Sequence, residues 1–242
     1  MGEPIRERWI AEAAGGKSFA EVGGLWGTVN EQITVAARAG ATSTTMIDVA
    51  PEGAEEGGNL WERFRERAHS LGVLDTSFVR GNIDDPETVE RVGRYDLVSC
   101  SGVLYHCPDP LRTLRNLRAI TSGTLILGTA SMPETVASVA GEVAVEPGSA
   151  LFVPAMTHSQ RAILGHWLFE LGEVQAIGVN YPLEGDWDLD DYSAWWWFFT
   201  RDYVAALLEV VGFEVLNVAS YWEGRATLYL ARTVDEPGAQ GA

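Results

Sequence analysis

Short apolar runs alternate along the chain with segments whose apolar positions recur every three or four residues. The apolar runs predict five strands, at Lys17–Val22, Ser43–Asp48, Ser77–Arg80, Tyr95–Cys100 and Thr124–Leu127. Helical spacing predicts helices between them, and the clearest has four apolar residues on one face, Trp61, Phe64, Ala68 and Leu71. Regular alternation of strand and helix is typical of a parallel sheet covered by helices on both faces.

Capping and turn residues set the bounds of the predicted helices. The helices run over Pro4–Ala14, from Thr28 to about Arg38, from about Asn59, over Pro86–Val92, from Asp109 and Pro110 to Ile120, and from a Thr200 cap to Val211. Thr28 and Glu31 have the spacing of a capping box. Two strands follow the last helix, Phe213–Ser220 and Arg225–Thr233. We therefore predict an α/β fold with a doubly wound, mostly parallel seven-stranded sheet that includes a C-terminal antiparallel strand.

The segment from Ala130 to Phe199 interrupts this alternation. It contains a predicted helix near His158–Leu171 and an acidic, aromatic run from Asp186 to Phe199. Because the segment follows the fifth strand, it lies at the carboxyl edge of the sheet, where ligands bind in such folds. We predict one domain over residues 1–234, in which residues 130–199 form a lid or substrate-binding insertion, and a disordered tail over residues 235–242.

Composition limits the classes of partner. The 242 residues carry a formal charge of −17, and this field disfavours nucleic acid and anionic membranes and favours small-molecule or protein partners, of which we expect a small-molecule substrate. No signal segment and no long apolar stretch is present, so a cytoplasmic location is expected. Cys100, His106 and Cys107 lack an indicated fourth ligand, so no metal is predicted. The sequence leaves the oligomeric state open, a homodimer included.

A glycine-rich loop follows the first predicted strand. Glu21 near the strand end precedes Gly23, Gly24 and Gly27, and glycines allow a backbone to approach a ligand closely. An acid at this position would repel a pyrophosphate, whereas it favours a cofactor that carries an ammonium and a sulfonium. Asp48 ends the second predicted strand, where an acid takes the ribose hydroxyls in folds of this type. The two segments predict a nucleoside cofactor site.

With these residues and the segment Cys100–Pro110, the chain resembles the class I S-adenosylmethionine-dependent methyltransferases. The resemblance covers roughly Lys17–Thr129 and Thr200–Thr233, although Leu25 stands where a middle glycine is usual. It implies the Rossmann-like methyltransferase fold, S-adenosylmethionine as cofactor and S-adenosylhomocysteine as product. It also implies that Asn82 reaches the adenine amine beside the backbone N–H of Ile83. The cofactor-binding residues expected from it are Glu21, Gly23, Gly24, Gly27, Asp48, Asn82, Ile83 and Ser101.

His106 is the candidate catalytic residue. If the acceptor is an alcohol or a neutral phenol, a base must take its proton, and a histidine after the fourth strand is suitably placed. A structural histidine bonded to backbone is the alternative, and an anionic acceptor needs no base. The candidate substrate residues are Tyr105, His158, Trp196 and Trp197. For the aromatic residues, the alternative is packing in the core or the lid.

The function predicted from these features is methyl transfer to a small molecule, most simply O-methylation of a natural-product or sugar intermediate. Val103–His106 also resembles the tRNA wobble-uridine carboxymethyl transferases, so a tRNA-modifying methyl or carboxymethyl transferase is an alternative. An NAD-dependent oxidoreductase is a further alternative, which Glu21 before the glycines disfavours. A non-catalytic cofactor-binding protein is the last.

Overall fold

The computed structural model describes residues 4–25, 31–50, 59–170, 187–190, 192 and 194–234. The helices are α1 (Ile5–Ala13), α2 (Ile33–Arg38), α3 (Leu60–Ser70), α4 (Pro86–Val92), α5 (Pro110–Ile120), α6 (His158–Glu170) and α7 (Arg201–Val210). The strands are β1 (Ser18–Val22), β2 (Ser43–Asp48), β3 (Thr76–Arg80), β4 (Tyr95–Ser101), β5 (Thr121–Met132), β6 (Thr135–Ser138), β7 (Gly141–Ala144), β8 (Ala150–Phe152), β9 (Trp197–Thr200), β10 (Phe213–Tyr221) and β11 (Ala226–Thr233).

The main sheet has the strand order β10-β11-β5-β4-β1-β2-β3. Strands β1 to β5 pair in parallel, whereas β11 is antiparallel to both of its neighbours, β5 and β10. The predicted seven-stranded sheet with a C-terminal antiparallel strand is therefore confirmed. The strand order reverses between β1 and β4, and such a switch point opens a crevice at the carboxyl ends of the two strands.

Apolar clusters cover both faces of this sheet, as a doubly wound fold requires. On one face, buried residues of α5 and α7 such as Leu117 and Leu208 pack against the strands. On the other face, α1, α2 and α3 contribute Ile10, Ile33 and Phe64. Helices α4 and α5 match the predicted bounds, and each has an aspartate at its N-cap.

One predicted helix start differs from the structure. Helix α2 begins at Ile33, and Glu31 accepts the backbone N–H of Thr34 at 2.9 Å. Thr28, the other half of the predicted capping box, lies outside the described residues, as does Gly27. Helix α7 has Thr200 at its N-cap, as predicted, but the Thr200 side chain makes no capping hydrogen bond, and its hydroxyl donates to the carbonyl of Ser149 at 2.7 Å. The insertion therefore captures the group that would otherwise cap the helix.

The insertion after β5 contains more strand than the sequence predicts. Strands β6 and β7 form a separate hairpin, while β9 pairs in parallel with the end of β5 and antiparallel with β8. Its core, which we term the insertion cluster, consists of Ala130, Met132, Val136, Val153, Met156, Ile163, Leu164, Leu168, Trp195 and Phe198. The predicted helix at His158 is confirmed as α6. Residues 171–186 and the predicted tail lie outside the described residues.

Among the residues that the structure describes, no helix has both the length and the apolar character needed to cross a membrane.

Candidate cofactor and acceptor site

The glycine loop lies at the carboxyl end of β1. Gly23 has a φ of +77°, and a Cβ placed there would lie 2.2 Å from Cγ2 of Val103. A Cβ at Gly24 would lie 2.5 Å from Cδ of Glu21. Both positions therefore exclude a side chain, and the loop can present its backbone to a ligand. A role of Gly23 and Gly24 in cofactor binding stays a prediction.

Glu21 is buried beneath this loop, with only 3% of its surface exposed. Its Oε2 accepts the backbone N–H of Gln32 at 2.7 Å, which ties β1 to the segment that starts α2. Burial raises the pKa of Glu21 to about 8, and the nearby charge of Glu31 adds to this, while backbone donors and the charge of Arg6 act in the opposite direction. A cation that arrives in the crevice would favour the ionised carboxylate.

Asp48 connects the loops that follow β1 and β2. Its Oδ2 accepts the backbone N–H of Leu25 at 3.0 Å, and its Oδ1 accepts that of Ala50 at 2.8 Å. Burial raises the pKa of this carboxyl above its usual range. Each carboxylate oxygen can accept more than one hydrogen bond, so Asp48 retains the capacity to accept ribose hydroxyls.

The segment after β3 carries the residues expected to meet the adenine. Oδ1 of Asn82 accepts the backbone N–H of Asp84 at 2.9 Å, and the carbonyl of buried Ile83 accepts from the Asn116 amide at 2.9 Å. Asp84 accepts the hydroxyl of Tyr192 at 3.0 Å. Desolvation is the main cause that raises the pKa of Tyr192 to about 12. A residue of the insertion thus closes on the loop that follows β3.

Ser101 ends β4, and its hydroxyl lies 3.3 Å from that of Tyr221 at the end of β10. A Cβ at Gly128 would lie 2.4 Å from the Ser101 oxygen and 2.9 Å from the Tyr221 oxygen, so a glycine leaves room for this pair. Burial raises the pKa of Tyr221. Tyr221 was not predicted from the sequence, because nothing local marks a partner 120 residues away.

His106 lies in a 3₁₀ turn after β4, with Nδ1 at 2.9 Å from the carbonyl of Ala194. The tautomer that donates from Nδ1 to this carbonyl has its basic lone pair on Nε2. The rings of Tyr105 and His106 are 4.2 Å apart, and Tyr105 also contacts Trp195 at 4.5 Å. The hydrogen bond between His106 and the backbone carbonyl of Ala194 is what a purely structural histidine would make. The same hydrogen bond would also orient a catalytic histidine.

The other candidate substrate residues are more dispersed. Trp196 is 2% exposed and packs against Phe152 and Trp187. Trp197 is half-buried and donates its indole N–H to the carbonyl of Pro108 at 3.2 Å. His158 is exposed at the first residue of α6. Their roles toward a substrate stay predictions.

The glycine cradle and the two buried carboxylates suit a nucleoside cofactor that carries positive charge. In the described part of the chain, no group of three or more His, Cys, Asp and Glu side chains could hold a metal ion. Both cysteines are buried as free thiols, and burial raises the pKa of each.

Comparison with known proteins gives a consistent result. A family model described as a methyltransferase domain matches residues 10–218. The ubiquinone biosynthesis O-methyltransferase of Vibrio parahaemolyticus is 31% identical over 121 residues, which cover 48% of this chain and 46% of that protein. The tRNA U34 carboxymethyltransferase of Wolinella succinogenes is 26% identical over 168 residues, which cover 58% of this chain and 59% of that protein. The chain spans about half the length of these curated relatives.

Among solved structures, the N-terminal domain of EvdMO1, determined in the presence of SAH and D-fucose, is similar with a TM-score of 0.54 and 17% identity. The superposition covers 95% of this chain and 81% of that one. At this identity, the likeness demonstrates the fold alone.

Proposed function

The chain belongs to the class I S-adenosylmethionine-dependent methyltransferases, and we propose that it methylates an oxygen of a small molecule, such as a natural-product or sugar intermediate. The cofactor is S-adenosylmethionine, and the product is S-adenosylhomocysteine. This family membership replaces the alternative of an NAD-dependent oxidoreductase. The observation that best supports methylation at oxygen is His106, which is held by its Nδ1 at 2.9 Å from the carbonyl of Ala194 just after β4.

The buried polar groups at the carboxyl edge would hold the cofactor in one orientation. S-adenosylmethionine supplies a methyl group that is bonded to positively charged sulfur. Asp48 would accept the ribose hydroxyls, and Asn82 with the Ile83 N–H would bind the adenine. Glu21 would stabilise the cationic amino-acid end through the glycine loop, with Ser101 at the end of β4 beside it. This order places the transferable methyl group near the end of β4.

The residues after β4 would then act on the acceptor. Nε2 of His106 would take the hydroxyl proton as the oxygen–carbon bond forms and the carbon–sulfur bond breaks, which leaves a neutral thioether. Tyr105, half-buried against Trp195, would limit the approach of the acceptor and exclude water. Alignment of oxygen, methyl carbon and sulfur supplies much of the remaining rate enhancement.

Calorimetry with S-adenosylmethionine and S-adenosylhomocysteine tests the cofactor site in the unmodified chain. We expect both to bind, and an absence of binding by either would contradict the proposal. Incubation of a labelled methyl donor with small-molecule pools, followed by mass spectrometry, identifies the acceptor and the methylated atom. A label on nitrogen or carbon would remove the assignment to oxygen.

A tRNA-modifying transferase is the second candidate, because the Wolinella relative is named as one. The formal charge of −17 argues against it, since phosphate backbones are repelled by such a field. A gel shift with bulk tRNA separates the two candidates. A complex that weakens steeply with added salt would favour the tRNA substrate, whereas free tRNA throughout would favour the small molecule.

A further inference from the structure

The turn between β10 and β11 has an unusual backbone. Trp222 and Glu223 have φ values of +53° and +55°, in a region that large side chains rarely adopt. Strain of this kind persists only where the surroundings enforce it, and it concentrates at functional sites. Since β10 runs in the same direction as β5, this turn lies at the carboxyl edge of the sheet, the edge that holds the cofactor crevice.

Arg225 holds the turn in this conformation. Its guanidinium lies 4.8 Å from the centre of the Trp222 ring, and its Nε donates to the Trp222 carbonyl at 3.2 Å. Its Nη2 pairs with Glu223 at 3.0 Å, and its own carbonyl accepts the N–H of Ser131 at 2.9 Å. The arginine is 4% exposed, so the indole is supported on a fixed platform.

Trp222 lies between the cofactor side and the insertion. The preceding residue, Tyr221, reaches Ser101 at the end of β4, while Trp222 itself packs against the insertion cluster. Trp222 and Tyr105 are both half-buried there, whereas Trp195 is 4% exposed. The aromatic surface that remains available to a ligand on this side therefore comes from Trp222 and Tyr105 more than from Trp195.

We propose that Trp222 forms a wall of the acceptor site and that the acceptor is a flat, uncharged ring bearing a hydroxyl group. This inference rests on the proposed function. Beside the insertion cluster, the half-buried rings of Trp222 and Tyr105 present flat faces that suit stacking with a flat ring, and such faces offer no strong partners for the hydroxyls of a sugar. The net charge of −17 disfavours an anionic acceptor.

Three probes test the class of acceptor on the unmodified protein. Catechol is a flat uncharged ring, protocatechuate is its carboxylated counterpart, and methyl glucoside is rich in hydroxyls but not flat. With saturating S-adenosylmethionine, release of S-adenosylhomocysteine gives kcat/KM for each probe, and calorimetry gives its affinity for the S-adenosylhomocysteine complex. We expect catechol to exceed each of the other two by about tenfold or more, as for a pocket that cannot pair additional polar groups.

Substitutions at Trp222 test the wall itself. Trp222→Leu keeps an apolar side chain without a flat face, and we expect KM for catechol to rise about three- to tenfold, which corresponds to the loss of one aromatic pair. Trp222→Phe keeps a ring and should stay within about twofold of the unmodified chain. Phe78→Leu is the control, because Phe78 is a 37% exposed aromatic on β3 at the opposite edge of the sheet. The affinity for S-adenosylmethionine should be unchanged in all three and reports that each is folded.

The outcomes distinguish a failure of the proposed function from a failure of the proposed acceptor class. If S-adenosylmethionine does not bind, the proposed function fails. If S-adenosylmethionine binds but catechol neither binds nor reacts, or if methyl glucoside or protocatechuate is used equally well, the acceptor class is wrong while the proposed function stands. An unchanged KM in Trp222→Leu overturns the wall. The probe comparison decides the acceptor class whether or not Trp222→Leu folds.

Discussion

Replacing Glu21 by Gln should change how the stability of the chain depends on pH. Burial raises the pKa of Glu21 from 4.5 to about 8 in the folded state. Between these values the unfolded chain has released this proton and the folded chain retains it, so stability falls as pH rises from about 4.5 to about 8. At about 1.4 kcal/mol per pH unit, the full effect is on the order of 5 kcal/mol. Glutamine cannot ionise, so the stability of Glu21→Gln should not fall over this pH range.

Urea unfolding from about pH 5 to about pH 9 measures the effect as a difference between the two proteins. We expect similar free energies of unfolding near pH 5, where the folded acid is neutral like the amide. Near pH 8.5 we expect Glu21→Gln to be more stable by several kcal/mol. Glu66→Gln on the exposed face of α3 serves as the matched control for loss of one carboxylate.

The same carboxylate should link cofactor binding to proton release. An ammonium near Glu21 favours its ionised form, so S-adenosylmethionine should bind more tightly as pH rises toward 8 and should partly restore stability there. Glu21→Gln should lose this pH dependence. If the free energies of unfolding of the two proteins differ by the same amount at every pH from 5 to 9, the argument that burial keeps Glu21 protonated is refuted.

Three further changes test the rest of the site. Gly23→Ala should lower the stability more than Gly72→Ala, because both glycines have φ near +78° but only a Cβ at Gly23 would lie 2.2 Å from a side chain. Equal losses in thermal unfolding would contradict this steric account. His106→Ala should lower kcat for an alcohol or phenol acceptor by about 100- to 10,000-fold with an unchanged affinity for S-adenosylmethionine, and unchanged turnover would make His106 structural. Asp48→Ala should weaken S-adenosylmethionine by about ten- to 100-fold in calorimetry, since hydrogen bonds to a charged group are lost, and full affinity would exclude the ribose role.

The parts of the fold that the sequence predicted are those with local causes. Helix α5 begins at Pro110 because Asp109 accepts the N–H of Arg112 at 3.0 Å, an interaction that spans three residues. The central strands are apolar on both sides since helices cover both faces, which makes them visible as runs. Glu21 and Asp48 could be predicted because each stands at the carboxyl end of such a run. Glu21 is the penultimate residue of β1, and Asp48 is the last residue of β2.

The remainder depends on contacts between distant segments. Strand β9 forms because Phe199 and Thr200 pair with the end of β5. The pattern of apolar residues over 197–200 does not predict this pairing. Thr200 stands at the N-cap of α7, but its hydroxyl donates to the carbonyl of Ser149 in the insertion and accepts no N–H from the first turn of the helix. The Tyr221–Ser101 pair likewise needs β10 and β4 to have their places in the sheet before the two hydroxyls can meet.

The hydrogen bond from Tyr192 to Asp84 has a kinetic consequence. This hydrogen bond joins the insertion to the loop after β3, which is expected to bind the adenine. Binding of the cofactor should therefore order the part of the insertion that receives the acceptor. We therefore expect a compulsory sequence, in which the donor enters first and the demethylated donor departs last. Product-inhibition patterns would reveal it, and inhibition by S-adenosylhomocysteine that is not competitive with the donor would argue against this sequence.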